Sequence, residues 1–383
     1  MTVHRTTKAS IGAQCVQRMA GLCLLLVALL CAPLQARANL VDDDLQVRLV
    51  SASPMAPQWP PDLLIEGNWP TSCLPGVVRT SLENDHVDVL LRSTGTRCAA
   101  NVTPLSLKVN PAREAGLRQL ALGIFQVRLY LLGADGASEL LALRLLRSGG
   151  DDTSSRPESG FWWSVSTASF APPLAGSGLS IEQQGENLAV TLLSYQAGAP
   201  VWYFGSARMP GNIVRIPLVR MVGGDEPFNG ANTGPGAEPA MSLNLQFLSP
   251  AHAGAWLVRP RPGLAQGIEV QELNLLRLPF ETDRNGASWK GQWALIVDQA
   301  VDARLYDLAE LVTADAESFQ LRDASGDVSL HCRLETIGGH PVPAFCTLGK
   351  GSGILADFDR IGLDRLSGLT PDGRSVRLVR VPD

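Results

Sequence analysis

The sequence lacks most of the motifs by which enzymes are recognised. It contains five histidines in 383 residues, and it has no HExxH metalloprotease motif, no GxSxG nucleophile elbow, no P-loop and no dinucleotide-binding glycine motif. Lysine is also scarce, because arginine supplies 28 of the 32 basic residues, a bias typical of GC-rich bacterial genomes. These absences argue against nucleotide-dependent and zinc-protease chemistry, and we expect no cofactor.

The chain has a single long apolar run, over residues 19–33 near its N-terminus. Arg5, Lys8 and Arg18 precede this run, and a small-x-small site at residues 36–38 follows it. The order of basic, apolar and small-residue segments predicts a cleavable signal peptide over residues 1–38. The run is shorter than the ~20 residues that span a bilayer. We therefore expect an exported protein, periplasmic or secreted, without a stable membrane span after cleavage.

Cysteine is infrequent, and three of the seven cysteines fall within the predicted signal peptide. The remaining four are an even number, which in an exported chain suggests disulfide bonds. Of the possible pairings we favour the two local ones, Cys73 with Cys98 and Cys332 with Cys346, because each stays within one predicted domain. No C-x-x-C pair is present, so a zinc site is disfavoured and no bound metal is expected.

Positive charge is also in deficit. Removal of residues 1–38 lowers the number of basic residues from 32 to 28 and leaves all 37 acidic residues, so the mature net charge is −9. An acidic protein repels polyanions, which argues against nucleic acid or an anionic membrane surface as the partner.

The sequence is rich in short alternating apolar segments separated by turns, with 37 glycines and 26 prolines. Residues 125–131, for example, alternate apolar and polar side chains with the two-residue period of a half-buried strand. Segments of this kind recur along the chain and predict an all-β fold. One exception is residues 300–311, where the spacing of the apolar residues predicts a helix of about three turns.

Composition divides the mature chain into three predicted β domains and one linker. These are an immunoglobulin-like β-sandwich (40–150), a small and polar linker (151–159), and two antiparallel barrel-like or sandwich-like domains (160–280 and 287–383). Residues 122–127 (LGIFQV) resemble the penultimate strand of bacterial immunoglobulin-like domains.

Four motifs follow one another in the first of the two barrel-like domains. They are GFWW at 160–163, SG and then QQG within 177–185, a strand ending at Tyr195, and GAPVWY at 198–203. This order resembles a β-rich module of many uncharacterised exported bacterial proteins, over residues 159–280. The resemblance implies a β-rich fold but supplies no activity and no catalytic residues.

The two barrel-like domains begin and end alike. Each opens with Gly-x-Trp, at Trp162 and Trp293, and each closes with a strand that carries an arginine, Arg277 or Arg380. This combination resembles the small closed barrels of the lipocalin and avidin kind, in which the first and last strands meet. The resemblance implies that each arginine lies over an indole ring, a cation–π contact worth about 0.5–2 kcal/mol. Closure would also remove the exposed sheet edges.

The densest aromatic cluster also lies in the first of these domains. The candidate ligand-binding residues are Trp162, Trp163, Tyr195, Trp202 and Tyr203. Exposed rings would stack on a sugar or another flat ligand, or line a pocket, whereas buried rings would form the hydrophobic core. Because strand neighbours point to opposite faces, Trp162 and Trp163 are not expected to share one core.

These features favour a non-enzymatic binding or structural protein of the envelope over an enzyme, and we assign no catalytic residues. The partner is left open between a carbohydrate, another small ligand and another envelope protein. The alternative is an exported hydrolase whose Asp or Glu pair belongs to no linear motif. Such an enzyme would need a cleft with two carboxylates about 5–10 Å apart.

Overall fold

A computed structural model describes residues 42, 44–50, 61–83, 85–116, 123–149, 155–165, 177–225, 234–261, 267–279, 286–300 and 303–381. The predicted signal peptide, residues 1–38, lies outside the described residues. The regular structure of the described residues is almost entirely β-strand, which confirms the all-β prediction.

The N-terminal unit consists of two sheets around one hydrophobic core. Its elements are β1 (Gln46–Val50), β2 (Asp62–Trp69), β3 (Pro75–Leu82), β4 (His86–Ser93), β5 (Thr103–Val109), the short helix α1 (Pro111–Glu114), β6 (Gly123–Leu132) and β7 (Ser138–Ser148). One sheet has the order β1-β2-β5 and the other the order β3-β4-β6-β7. Leu63 and Ile65 of β2 are fully buried while the residue between them is half-buried, as expected for a strand with one face on a core. An immunoglobulin-like topology stays a prediction.

The second unit is a closed antiparallel barrel of eight strands, which we call the first barrel. Its strands are β8 (Gly160–Val165), β9 (Gly178–Gln184), β10 (Asn187–Gln196), β11 (Ala199–Arg208), β12 (Ile213–Val222), β13 (Gly236–Ser249), β14 (His252–Pro260) and β15 (Ile268–Arg277). Each strand pairs with the next, and β15 pairs with β8 to close the ring. Gly185 and Gly198 adopt the positive φ that two-residue hairpin turns require, 61° and 81°.

The third unit also curls into a barrel, the second barrel. After a 3₁₀ turn (Ala287–Trp289) its strands are β16 (Gly291–Val297), β17 (Arg304–Leu308), β18 (Glu310–Ala314), β19 (Ser318–Arg322), β20 (Val328–Ile337), β21 (His340–Lys350), β22 (Gly353–Ile361), β23 (Arg365–Leu369) and β24 (Ser375–Arg380). The sheet order begins at β17 and ends at β18, and Ala309 alone separates these two strands in the chain. The sheet therefore closes through one bent strand, around a single core.

The helix predicted over residues 300–311 is wrong, because this segment contains β17 and the start of β18. The first of these strands pairs with β16 and the second with β19. The spacing of Leu305, Leu308 and Leu311 fits a helix, but only an extended chain can bond to a neighbouring strand on each side. Strand pairing within the barrel thus overrides the local pattern.

The base of the first barrel is the end at which β8 begins and β15 ends. There Arg277 lies opposite Trp162 in the strand ladder. The Trp162 indole N–H donates to the backbone carbonyl of Glu158 at 3.3 Å, and Arg277 Nε donates to the carbonyl of Ser159 at 3.1 Å. Gly160, at φ 140°, leaves room for the guanidinium, which lies 3.2 Å from where a Cβ would stand.

The second barrel repeats this arrangement. Arg380 lies opposite Trp293. The Trp293 indole N–H donates to the carbonyl of Trp289 at 2.8 Å, and Arg380 Nη2 donates to the carbonyl of Lys290 at 3.4 Å. The first and last strands of both barrels thus meet as the repeat implied. The predicted cation–π contacts are wrong. Among the described residues, both arginines donate to backbone carbonyls and neither stacks on its tryptophan.

The first barrel contacts both other units. Asp42 forms ion pairs with Arg144 of β7 at 2.6 Å and with Arg215 of β12 at 2.7 Å. Leu143 of β7 packs with Trp256 and Val258 of β14, so the N-terminal unit covers one side of the barrel.

The bases of the two barrels face each other. The carboxylate of Glu158 accepts hydrogen bonds from the backbone N–H groups of Leu363 and Asp364, at 2.8 and 3.0 Å. Arg277 lies 3.4 Å from carboxylate oxygens of both Glu158 and Asp364. The segment before the first barrel is therefore tied to a turn of the second.

Both predicted disulfides are present, Cys73–Cys98 and Cys332–Cys346. The second pair links directly opposite positions of β20 and β21, and both cysteines are fully buried inside the second barrel. Disulfides of this kind are compatible with an exported protein. Within the described ranges, no helix combines the length and apolar character needed to cross a membrane.

Candidate ligand site at the mouth of the first barrel

The strands of the first barrel are connected differently at its two ends. At the base the connections are residues 185–186, 209–212 and 250–251. At the opposite end, which we call the mouth, the connections are residues 166–177, 197–198, 223–235 and 261–267. Three of the four mouth connections are thus longer than any at the base. Ligand sites in β-barrels lie preferentially at such mouths.

A cavity of about 660 Å³ opens at the mouth, and its volume is within the range of small-molecule sites. Its floor is apolar and consists of Leu192, Tyr203, Met241 and Leu257. These residues occupy inward-facing positions on four strands and rest on the packed core below. Leu192 and Tyr203 are direct cross-strand partners on β10 and β11. The core thus sets the depth of the cavity.

The rim of the cavity is polar. Arg259 and Glu269 face each other on β14 and β15 and form an ion pair at 2.7 Å. Both side chains are partly exposed, so this pair adds little to stability, but its groups can bond to a ligand. Arg261, Gln196 and Gln271 complete the rim. With two arginines and one glutamate the lining carries one net positive charge.

Two of the five predicted ligand-binding residues line this cavity. Tyr203 is buried in the floor, and Tyr195 stands at the rim with 60% of its surface exposed. Trp202 precedes Tyr203 on β11 and therefore points out of the barrel, where it is 43% exposed. The structure thus places Tyr203 in the floor of the cavity, whereas Tyr195 borders the rim from the outer face of β10, the face that it shares with Trp202.

The other two tryptophans lie away from the cavity. Trp162 is fully buried at the base, with its ring edge-on to Phe247 at a centroid distance of 5.7 Å. Trp163 points outward and lies 5.8 Å from the ring of His340 in the second barrel. Trp162 therefore contributes to the core, and Trp163 contributes to the contact between the barrels.

An exposed apolar strip runs along the outer face of the hairpin formed by β10 and β11. It consists of Leu193, Tyr195, Trp202 and Phe204, which are between 41% and 60% exposed. Leu193 and Trp202 are cross-strand partners, so the side chains share one face. Contiguous exposed apolar residues of this kind often mark a contact surface.

Tyr195 and Tyr203 aside, the cavity residues were not identified from the sequence, and Leu257, Arg259, Glu269 and Gln271 are examples. Their signal is the alternation along β14 and β15, which tells which residues face the barrel interior. That alternation does not tell where the packed core stops and the cavity begins. These residues can therefore be recognised as cavity residues only in the folded barrel.

The carboxylates of the described residues do not form the pair that a hydrolase would need in this cavity. Glu269 is the carboxylate among the lining residues, and Arg259 is its partner. Burial raises the pKa of Glu158 above its usual 4.5, against hydrogen bonds from Leu363 and Asp364, but Glu158 lies between the barrels. Within the described residues, no cluster of His, Cys, Asp and Glu is placed to hold a metal ion.

No protein-family model, curated protein or solved structure matches the chain. The resemblances drawn from sequence motifs therefore stay predictions. The fold and the site define the class of protein by themselves. It is an all-β protein with an N-terminal two-sheet unit and two up-and-down barrels, of which the first opens into a cavity of ligand size.

Proposed function

We propose that this is an exported, non-enzymatic binding protein that holds a small amphipathic molecule in the mouth cavity of the first barrel. The observation that carries the proposal is the apolar floor and polar rim of one cavity at the open end of a closed barrel. Barrels of eight strands are just wide enough to hold one small ligand. The predicted signal peptide and the two disulfides support export.

The lining indicates the chemistry of the ligand. Leu192, Met241 and Leu257 offer aliphatic surface, and apolar area buried against them contributes roughly 25 cal/mol per Å². At the rim, Arg259 and Arg261 favour a head group with anionic oxygens, because guanidinium groups bond strongly to such oxygens. A medium-chain carboxylic acid or an aromatic sulfonate meets both requirements.

The test is a fluorescence titration of the intact protein with anilinonaphthalene sulfonate, followed by displacement with decanoate. We expect one saturable site and full displacement. Leu257→Trp fills the floor, so it should weaken binding by at least about tenfold, equivalent to about 1.4 kcal/mol.

The matched control is Leu193→Trp, which adds the same side chain to the outer face of β10, where Leu193 is 44% exposed. This variant should bind the dye in the cavity with unchanged affinity. Equal binding by wild type and Leu257→Trp, or dye that decanoate does not displace, would contradict the proposal.

The outer strip supports a second candidate function, the stacking of carbohydrate on exposed rings. Trp202 and Phe204 are 43% and 41% exposed on one face of β11, as a sugar-binding platform requires. A glycan screen of wild type and Trp202→Ala tests it. Glycan binding should be lost with the ring of Trp202, while decanoate binding should be unaffected. Glycan binding that is unchanged in Trp202→Ala would exclude the outer strip as the glycan-binding site.

A further inference from the structure

A second cavity lies on the outer wall of the second barrel. It measures about 600 Å³, and four arginines and two aspartates line it: Arg156, Arg360, Arg365, Arg377, Asp298 and Asp359. We call it the arginine cleft. It shares no described lining residue with the mouth cavity, so an inference about it stands apart from the proposed function.

The strand register explains how the arginines meet. Ser367 on β23 lies opposite Arg360 on β22 and opposite Arg377 on β24. The three side chains therefore stand in a row on the outer face, on strands spaced about 4.8 Å apart. Arg365 precedes Ser367 by two positions and shares its face. A β-bulge in β22 adds Asp359 beside Arg360.

The charges in the cleft do not balance. Asp359 forms an ion pair with Arg360, and Arg365 Nη2 donates to the backbone carbonyl of Arg156 at 3.0 Å. Within the described part of the chain, the guanidinium of Arg377 has neither a hydrogen bond nor an ion pair. Arg156 directs its own guanidinium to the carbonyl of Pro210 at 2.7 Å and to Glu186 at 3.9 Å, so the other three arginines and the two aspartates leave the cleft with one net positive charge, in a protein whose formal net charge is −5. The cleft thus concentrates a positive potential that the chain as a whole lacks.

We propose that the arginine cleft binds a phosphorylated polyol, such as a sugar phosphate. The planar guanidinium groups match phosphate oxygens with paired N–H donors, and the hydroxyl group of Ser367 adds a further donor. Asp298 and Asp359 accept hydrogen bonds from the hydroxyl groups of the polyol. The volume of about 600 Å³ suits a ligand of this size.

The test is isothermal titration of the intact protein at low ionic strength with glucose 6-phosphate, inorganic phosphate and glucose. We expect binding in the order glucose 6-phosphate, inorganic phosphate, glucose. Arg377→Gln should weaken glucose 6-phosphate binding by about tenfold or more, because a hydrogen bond to a charged group is lost. Asp298→Asn should lower the affinity for glucose 6-phosphate relative to that for inorganic phosphate, because it removes a carboxylate that accepts hydrogen bonds from the polyol hydroxyl groups.

The matched control is Arg304→Gln, an exposed arginine on β17 of the same barrel but outside the cleft. It removes the same charge and should leave the affinity unchanged. The proposal is overturned if wild type does not bind glucose 6-phosphate, if Arg377→Gln binds as wild type does, or if both arginine variants lose affinity equally. Inorganic phosphate binding as tight as that of glucose 6-phosphate overturns the role of the polyol.

Discussion

The first and second barrels are alike at the base and different above it. At the base each has an indole N–H bonded to the carbonyl four residues earlier and an arginine bonded to the carbonyl three residues before the tryptophan. Above the base, the first barrel opens into the mouth cavity, whereas the second encloses a continuous core with a disulfide inside it. The same hydrogen bonds thus occur at the base of two barrels whose interiors differ.

Strand length accounts for part of this difference. Five of the eight strands of the first barrel, β10 to β13 and β15, have ten or more residues, whereas two of the nine strands of the second barrel, β20 and β21, are that long. Longer strands add inward-facing positions beyond the packed layers. We infer that those extra positions supply the cavity lining.

The two barrels also differ in the residue that lies four positions before Trp162 or Trp293. In the second barrel it is Trp289, which is buried against Trp293 and Phe319 and plugs the base. In the first barrel it is Glu158, whose side chain leaves the barrel and binds the turn at Leu363 and Asp364. The same position therefore serves the core in one barrel and the contact between barrels in the other.

The largest effect is expected when Trp162 or Trp293, the tryptophan at the base of each barrel, is removed. Trp162→Ala and Trp293→Ala each remove a fully buried side chain, so each should lower the free energy of unfolding by about 3–5 kcal/mol. The control Trp202→Ala removes an exposed ring and should stay within about 0.5 kcal/mol of wild type. Urea denaturation followed by circular dichroism measures all three. A small decrease in the free energy of unfolding for one of the two variants alone would show that the two bases do not stabilise their barrels equally.

The next effect concerns the disulfide inside the second barrel. The double variant Cys332→Ala and Cys346→Ala should destabilise the second barrel by about 2–4 kcal/mol. The first barrel contains no cysteine, so its stability should not change. Amide hydrogen exchange distinguishes the barrels: faster exchange is expected in the strands of the second barrel, β20 and β21 included, and equally faster exchange in β10 and β11 would show that the barrels unfold together.

A smaller effect distinguishes the two base glycines. Gly160 and Gly291 both have positive φ, 140° and 125°, so alanine should cost about 1–3 kcal/mol at either position. A Cβ at Gly160 would also press on Arg277, whereas a Cβ at Gly291 meets nothing within 4 Å. Gly160→Ala should therefore lower the melting temperature more than Gly291→Ala does. A larger decrease for Gly291→Ala would show that the contact between Gly160 and Arg277 does not stabilise the base.

The smallest effect is a pH dependence from Glu158. Burial raises the folded-state pKa of this carboxyl group above its usual 4.5. The folded protein therefore binds the proton more tightly than the unfolded chain, and stability falls as pH rises from about 4.5 through the raised pKa. Glu158→Gln removes this titration. The melting-temperature advantage of wild type over the variant should shrink between pH 4.5 and 7, and an advantage that grows would contradict the assignment.

Several parts of the fold could be predicted from the sequence because they depend on local chemistry. The alternation of strands, the turns at Gly185 and Gly198 and the two local disulfides follow from backbone geometry and chain proximity. The pairing of Trp162 with Arg277 followed from a repeated motif.

Other parts depend on residues that are distant in the chain. Trp163 and Trp202 are both outward-facing tryptophans, but Trp163 is covered because His340, far along the chain, packs near it. The mouth cavity combines inward positions of β10, β11, β13, β14 and β15, so no linear motif announces it. The arginine cleft likewise depends on the register of three strands.

The binding of a small amphipathic molecule in the mouth cavity is tested most directly by hydrogen–deuterium exchange of the intact protein with and without decanoate. We expect slower exchange at the mouth ends of β10, β11, β14 and β15, and no change in β16 to β24. Protection confined to the second barrel, or no protection at saturating decanoate, would contradict the assignment of the binding site to the first barrel.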